Sequence, residues 1–281
     1  MTAELAISNL TIFWLQAMAV LIAGCCAAFL LRRIRPEWRL LFLQAVLIGV
    51  LALPFVQKWH VPITPFIPPP SASLVSAAHV QFQPAPARQF PSPSEWVLWI
   101  VVSGAAARLA WLGLGLLRLN AYRRGAERYL DTGDATIEIS GAVGVPVTFG
   151  LLHPIVLLPP SILAMDEPAR QAVIDHELLH VRRHDWLFAV IEEICFSLIW
   201  FVPAVWSLAA QIRLAREQAV DEAVIRNGAA PESYVQALVA IASQRSQRAF
   251  GAAPLLIDKS HLHTRVRRRK KVQLWETTHE R

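Results

Sequence analysis

Three long apolar runs limit this chain to a membrane protein before any other feature is considered. Asn9 to Leu31 holds no charged residue, and as an α-helix it would extend roughly 34 Å, enough to cross about 30 Å of hydrocarbon. It is too long for the apolar part of a cleaved signal peptide, so a retained helix is expected. Leu40 to Val56, bounded by Arg39 and Lys58, is the second run, and Trp96 to Leu117, interrupted by Arg108, is the third. A charged side chain is costly in lipid, so Arg108 is expected to face the helix bundle or a wet cavity. With 54% hydrophobic and only 17% charged residues, the composition excludes an ordinary soluble domain.

The distribution of charge gives the expected orientation. Net charge is +6, and Arg32, Arg33, Arg35 and Arg39 crowd between the first two runs while Arg118, Arg123 and Arg124 follow the third. Arginines at these places mark loops held on the cytoplasmic side. The N-terminus is therefore expected outside an inner membrane and everything after the third helix inside. Cys25, Cys26 and Cys195 lie within apolar runs without the spacing of a disulfide framework or a Cys-x-x-Cys site, and read as packing residues.

The expected organisation is a two-helix transmembrane hairpin over 1–56, a proline-rich extracytoplasmic loop over 57–94, a third transmembrane helix over 95–118, an α+β domain over 119–249 and a basic tail over 250–281. The loop is rich in proline, which fixes φ and removes backbone donors, so it reads as an extended spacer or as a signal-sensing segment. In the tail, Arg265 to Lys271 is a dense basic run suited to anionic lipid head groups or to plain solvation. It has neither a DNA-binding motif nor an aromatic stacking platform, so no direct contact with nucleic acid is expected. Between Leu119 and Ala169, the β-branched stretches 135–140, 145–149 and 154–158 are separated by glycine and proline and predict a small sheet. Its edge could hold an extended peptide by strand addition, or the strands could simply support the following helix.

That helix carries the chemistry. Asp166-Glu167-Pro168 predicts a helix start, and His176-Glu177-Leu178-Leu179-His180 follows within an apolar-periodic run. On a helix, His176 and His180 fall on one face about 6 Å apart, close enough for both imidazoles to bind one Zn²⁺. Glu177 then stands beside the metal, where a general base takes a proton from attacking water. The competing reading is an amphipathic helix with two surface histidines, and a third ligand decides between them.

Arg216-Glu217-Gln218-Ala219-Val220-Asp221 places Glu217 and Asp221 one turn apart on a second helix. A carboxylate is the usual complement to two histidines in a hydrolytic zinc site, which assigns Glu217 to the metal. Asp221 is then placed to accept a hydrogen bond from the far nitrogen of a ligating histidine. Trp186 to Leu208 has the length of another span but carries Glu192, Glu193 and Pro203. If it crossed the membrane, Glu217 would lie on the opposite side from the histidines, so a re-entrant or interfacial helix packed beneath the site is expected, with both glutamates facing protein or water. His184 would extend the histidine register, but on a continuous helix it lies about 12 Å from His176 and cannot share its metal. His60, His79, His153, His261, His263 and His279 have no partner at metal spacing.

From Asn9 to about Ile241 the chain resembles the membrane-bound zinc metallopeptidases of the BlaR/MecR type, the bacterial β-lactam sensor-transducers and their antirepressor relatives. The resemblance rests on the helix order, on Pro154-Ile-Val-Leu-Leu-Pro159, on His176-Glu-Leu-Leu-His-Val-Arg-Arg-His-Asp185, on Trp200-Phe-Val-Pro203 with Trp206, and on Arg216-Glu217 with Asp221. It implies a mainly α membrane protein whose three transmembrane helices accompany a cytoplasmic α+β, gluzincin-like zinc peptidase domain. It also implies Zn²⁺ on His176, His180 and Glu217, Glu177 as catalytic base, and a transcriptional repressor or the protein itself as substrate. Sensor-transducers of this type carry a penicillin-binding domain after a further spanning helix. This sequence shows neither, so the expectation is a peptidase core in contact with membrane lipids, with the signal open to being carried by a separate sensor protein. Two other readings compete: a membrane quality-control zinc protease, since the ligand pattern does not encode the substrate, and a metal-free membrane signalling scaffold, which zinc content would discriminate.

Overall fold

The computed structural model describes residues 3–56 and 92–228 together with Tyr234 and Gln236. The expectations for the proline-rich loop fall almost wholly outside the described residues, and those for the basic tail wholly so. The three apolar runs form α1 (Ala3–Leu30), α2 (Pro36–Val56) and α3 (Pro93–Arg123), each long and apolar enough to cross a membrane. Helix α3 is longer than its apolar run. It starts where the Ser92 amide donates to Glu95 Oε2 at 2.9 Å, and it carries Arg118 and Arg123 within its last turns rather than in a loop. Leu15, Ile22, Ile48, Phe55, Trp99 and Val102 are exposed on these helices, as lipid-facing side chains would be.

The stretch from Trp186 to Leu208, expected as a re-entrant or interfacial helix, turns back on itself as two helices, with Glu192 and Glu193 buried in protein. Helix α5 (Asp185–Leu198) stops, the chain turns through 199–203, and α6 (Ala204–Arg226) runs back. Pro203 has no amide proton to continue α5, and the turn is held from both sides. Trp14 Nε1 of α1 donates to the Phe201 carbonyl at 3.3 Å, and Trp200 Nε1 donates to the Val101 carbonyl of α3 at 3.0 Å. Gly104 makes room for the Trp200 ring, since a Cβ at that position would collide with it. The tip of this hairpin thus packs among the spanning helices. At the far end of α6, Arg226 meets Glu37 at the start of α2.

Helix α6 has two jobs along its length. Val205, Leu208, Ala209, Ile212 and Ala215 pack with Phe13, Ala17, Leu21, Leu43 and Leu47 of α1 and α2. In a bilayer such contacts are held by close van der Waals packing rather than by water exclusion, which explains the alanines at the crossing. Roughly one and a half to two and a half turns later, Val220 and Val224 pack on Ala172 of α4 (Glu167–Arg182). The same helix therefore belongs to the bundle at its start and to the site at its end.

The sheet has the strand order β1-β2-β4-β3, with β1 Glu127–Asp131, β2 Thr136–Ile139, β3 Val147–Phe149 and β4 Ile155–Leu158. The last three coincide with the expected strands. β1 was not expected, because Glu127-Arg-Tyr-Leu-Asp131 is an exposed edge strand without apolar alternation. β4 is parallel to β2 and antiparallel to β3. It is buried along its whole length because both faces are covered, which is why it reads as a continuous apolar run. Val156 and Leu158 face α4 with Ile137 and Leu178. Ile155 and Leu157 face the end of α3 with Leu119, Val147 and Phe149. Burying each such side chain contributes about 1.5–3 kcal/mol. The sheet is thereby clamped between a spanning helix and the helix that carries the two histidines.

Candidate metal centre

Helix α4 begins with Asp166 at the N-cap position and a proline in its first turn. Its apolar stripe, Ala169, Val173, Ile174, Leu178 and Val181, is pressed on the sheet, which turns His176 and His180 toward α6. Their Nε2 atoms stand 3.1 Å apart. Glu217 of α6 brings Oε2 to 3.9 Å from His176 Nε2 and Oε1 to 3.7 Å from His180 Nε2. One donor atom from each of the three residues lies within 4.8 Å of the others. Two ligands bound at about 2.05 Å to a tetrahedral ion are separated by roughly 3.3 Å, so the set needs only a small contraction to close on a cation.

The far nitrogens show why a cation is wanted there. His180 Nδ1 lies 2.9 Å from Asp185 Oδ2, so it carries the proton and donates to the carboxylate. Tyr234 donates its hydroxyl to Asp221 Oδ1 at 2.5 Å, which leaves the phenolic oxygen to accept from His176 Nδ1 at 2.8 Å. Both Nε2 atoms are then acceptors facing one another across 3.1 Å. A proton or a metal ion between them relieves that conflict. Burial would lower the His180 pKa, but the hydrogen bond to Asp185 and the charges of Glu217, Glu177 and Asp185 outweigh it and raise the pKa. Burial likewise opposes ionisation of Asp185, and its hydrogen bond to His180, with the charges of His180, Arg183 and Arg216, brings its pKa down.

Glu177 reaches the sheet, where Thr148 Oγ1 of β3 donates to its Oε2 at 2.6 Å. Its charge still reaches His180. β3 is one of the two edge strands of the sheet and pairs only with β4 among the described residues. The Glu177 carboxylate thus lies between the histidine cluster and a strand whose other edge is unpaired among the described residues.

The structure brings His176, His180 and Glu217 together and sets Glu177 beside them. Asp221 lies 3.6 Å from His176 Nδ1, too far for a hydrogen bond, and the Tyr234 hydroxyl bridges the gap. His184 is separated from the site by a different route than the sequence suggested. Helix α4 ends at Arg182, and His184 sits in a left-handed turn with φ 55° before α5. Sequence reasoning gave no role to Tyr234, Asp185 or Thr148. Asp185 had a signal, five residues after His180 on the next helix start. Tyr234, 58 positions from His176, had none.

The model of the BlaR1 peptidase M56 family matches residues 38–268. The regulatory protein BlaR1 of Bacillus licheniformis is 32% identical over 81 residues, 29% of this chain and 14% of that protein. The methicillin resistance mecR1 protein of Staphylococcus aureus is 28% identical over 92 residues, 32% of this chain and 16% of that protein, and the protein of the same name from Staphylococcus epidermidis matches to the same extent. The matched segments span only about a sixth of these relatives' own length. The family model, by contrast, takes in α2 onward, with the sheet, the histidine helix and the carboxylate helix, and on that match the chain belongs to the BlaR1 peptidase M56 family.

Proposed function

We propose that this protein is an integral membrane zinc metalloendopeptidase that acts in signal transduction by cleaving itself or a transcriptional repressor. The observation that carries the reading is the convergence of His176, His180 and Glu217 within 4.8 Å, with Glu177 beside them and an open strand edge next to it. His176, His180 and Glu217 would hold the zinc ion. Bound there, zinc would lower the pKa of a water molecule and polarise a carbonyl. Everything else is supplied by the chain. Asp185 fixes the His180 tautomer through Nδ1, and Tyr234 with Asp221 does the same for His176. An extended peptide added to β3 would present its backbone beside Glu177. The Glu177 carboxylate would take the proton of the attacking water and return it to the leaving amine. Thr148 restrains that carboxylate until substrate is in place.

In this reading the N-terminus faces outward, the peptidase domain lies in the cytoplasm, and zinc is the resident metal. The arginines between α1 and α2 and at the end of α3 support that orientation. The substrate would be a protein segment able to extend along β3. Full-length protein in detergent, incubated with zinc and a panel of extended peptides, tests the reading by mass spectrometry. Chelator-sensitive cleavage that Glu177→Gln abolishes while zinc is retained is expected, and cleavage that survives Glu177→Gln refutes the assignment.

A further inference from the structure

Helix α5 carries two consecutive glutamates that are not part of the candidate ligand set. Glu192 and Glu193 are 5% and 3% exposed, and successive residues of a helix point about 100° apart, so the pair faces two sets of neighbours. Glu193 accepts from Arg213 of α6 at 2.5 Å and from Arg108 of α3 at 3.4 Å, and the Arg108 guanidinium lies 4.3 Å over the Trp206 ring. Glu192 accepts from Gln44 of α2 at 2.9 Å, and Arg216 Nη2 of α6 lies 2.6 Å from each of its oxygens. Two neighbouring carboxylates thus gather α2, α3 and α6 around α5.

Arg216 also turns the other way. Its Nε lies 3.7 Å from Asp185 Oδ1, an ion pair at a separation longer than a hydrogen bond, and the second oxygen of Asp185 holds His180 Nδ1 at 2.9 Å. Gln44, Glu192, Arg216, Asp185 and His180 therefore form one line of polar contacts from the third turn of a spanning helix to an imidazole of the metal centre. Arg216 is also bonded to Glu217 through the backbone, so any rotation of α6 that follows Glu192 moves the third candidate ligand as well. Buried charges cost several kcal/mol each to desolvate, and well-packed apolar side chains could hold these helices together at least as firmly. Packing alone gives no reason for ions here.

We propose that Glu192 and Arg216 are positioning residues of the metal centre, through which the placement of α2 sets the geometry of His180 and Glu217. This rests on the reading of that centre as a metal site. A shift of α2 against α5 must either break Gln44 from Glu192 or carry the Glu192–Arg216 pair with it, and the pair is joined to both ligand-bearing elements. The spanning helices thereby have a mechanical connection to the metal that does not pass through the sheet.

The test uses full-length protein in detergent, loaded with Zn²⁺ for release into a chelator and with Co²⁺ for the visible spectrum of the bound ion. Glu192→Gln and Arg216→Lys are expected to weaken zinc by about tenfold, the lower range for partners that orient metal ligands. Gln44→Leu, which removes nothing that touches a ligand, is expected to speed zinc release by about threefold or more and to shift the cobalt bands. Ile48→Ala, on the exposed side of the same helix, is expected to change neither. Because loss of one partner from a buried pair can unfold a protein, Glu192→Leu combined with Arg216→Met supplies the comparison without an unpaired charge. If the double variant keeps its melting temperature but loses zinc faster, the proposal stands. If both it and Gln44→Leu keep wild-type zinc release and cobalt bands, the coupling is overturned while the metal site survives. A wild-type protein that binds neither metal overturns both.

Discussion

Replacing Tyr234 with phenylalanine removes one oxygen from the centre of the site and leaves the ring that packs with Val220 and Val224. The hydroxyl lies 2.8 Å from His176 Nδ1 and 2.5 Å from Asp221 Oδ1, while nitrogen and carboxylate are 3.6 Å apart. Without the bridge, Asp221 would have to advance by about 0.7 Å to reach a normal N–H···O separation. A hydrogen bond to a charged group contributes about 1.5–3 kcal/mol. At 1.4 kcal/mol per factor of ten, its loss predicts a fall in zinc affinity of roughly 10- to 100-fold, in line with measured costs of removing partners that orient metal ligands. The assay is competition between purified protein in detergent and a chromogenic chelator, with melting temperature followed on the same samples. A Tyr234→Phe protein with wild-type zinc affinity would refute the claim that the hydroxyl orients His176.

Acidification should release the metal. Zinc requires a bare His180 Nε2, and the pKa of His180 is raised from 6.5, so affinity is expected to fall as pH drops through the raised value. The metal-free protein has the opposite sign: a raised histidine pKa contributes stability that is fully present below the unfolded value and is lost as pH rises through the folded one. Thermal melts with and without zinc across pH 5–9 should therefore diverge as pH increases, and parallel curves contradict the assignment. Thr148→Val removes the donor to Glu177; at about 1.5–3 kcal/mol for a hydrogen bond to a charged group, peptidase kcat is expected to change roughly 10- to 100-fold while zinc content stays constant. An unchanged kcat would mean that Thr148 does not govern the base. Gly104→Ala would drive a methyl into the Trp200 ring, and overpacking of this kind costs about 1–3 kcal/mol. A lowered melting temperature in detergent is expected, and an unchanged one would mean that the hairpin tip is not seated against α3.

Local signals in the sequence were legible and relations between distant elements were not. The apolar runs over 9–31, 40–56 and 96–117 specify α1, α2 and α3 through length and composition alone. The i, i+4 spacings of His176 with His180 and of Glu217 with Asp221 put each pair on one helical face, and the structure brings the faces together. The break between α5 and α6 was hidden because apolar residues continue through the turn at 199–203. That turn is fixed by hydrogen bonds from Trp200 to α3 and from Trp14 to Phe201, which no local window contains. The same holds for Glu192 and Arg216, 24 positions apart in sequence and paired in space. β1 escaped because an exposed strand needs no apolar face. Asp185 shows the intermediate case: its residue type and nearness to His180 were visible, but its orientation depends on the left-handed turn at His184.

The most direct test of the account is the zinc content of the purified full-length protein, wild type beside Glu217→Ala and Glu177→Ala, with peptide cleavage measured on the same preparations. The account predicts one zinc per chain in the wild type, loss of most of it in Glu217→Ala, and full zinc with no cleavage in Glu177→Ala. A metal-free wild type, or a Glu217→Ala protein that binds zinc undiminished, contradicts the ligand set and returns the chain to the reading of a metal-free membrane scaffold.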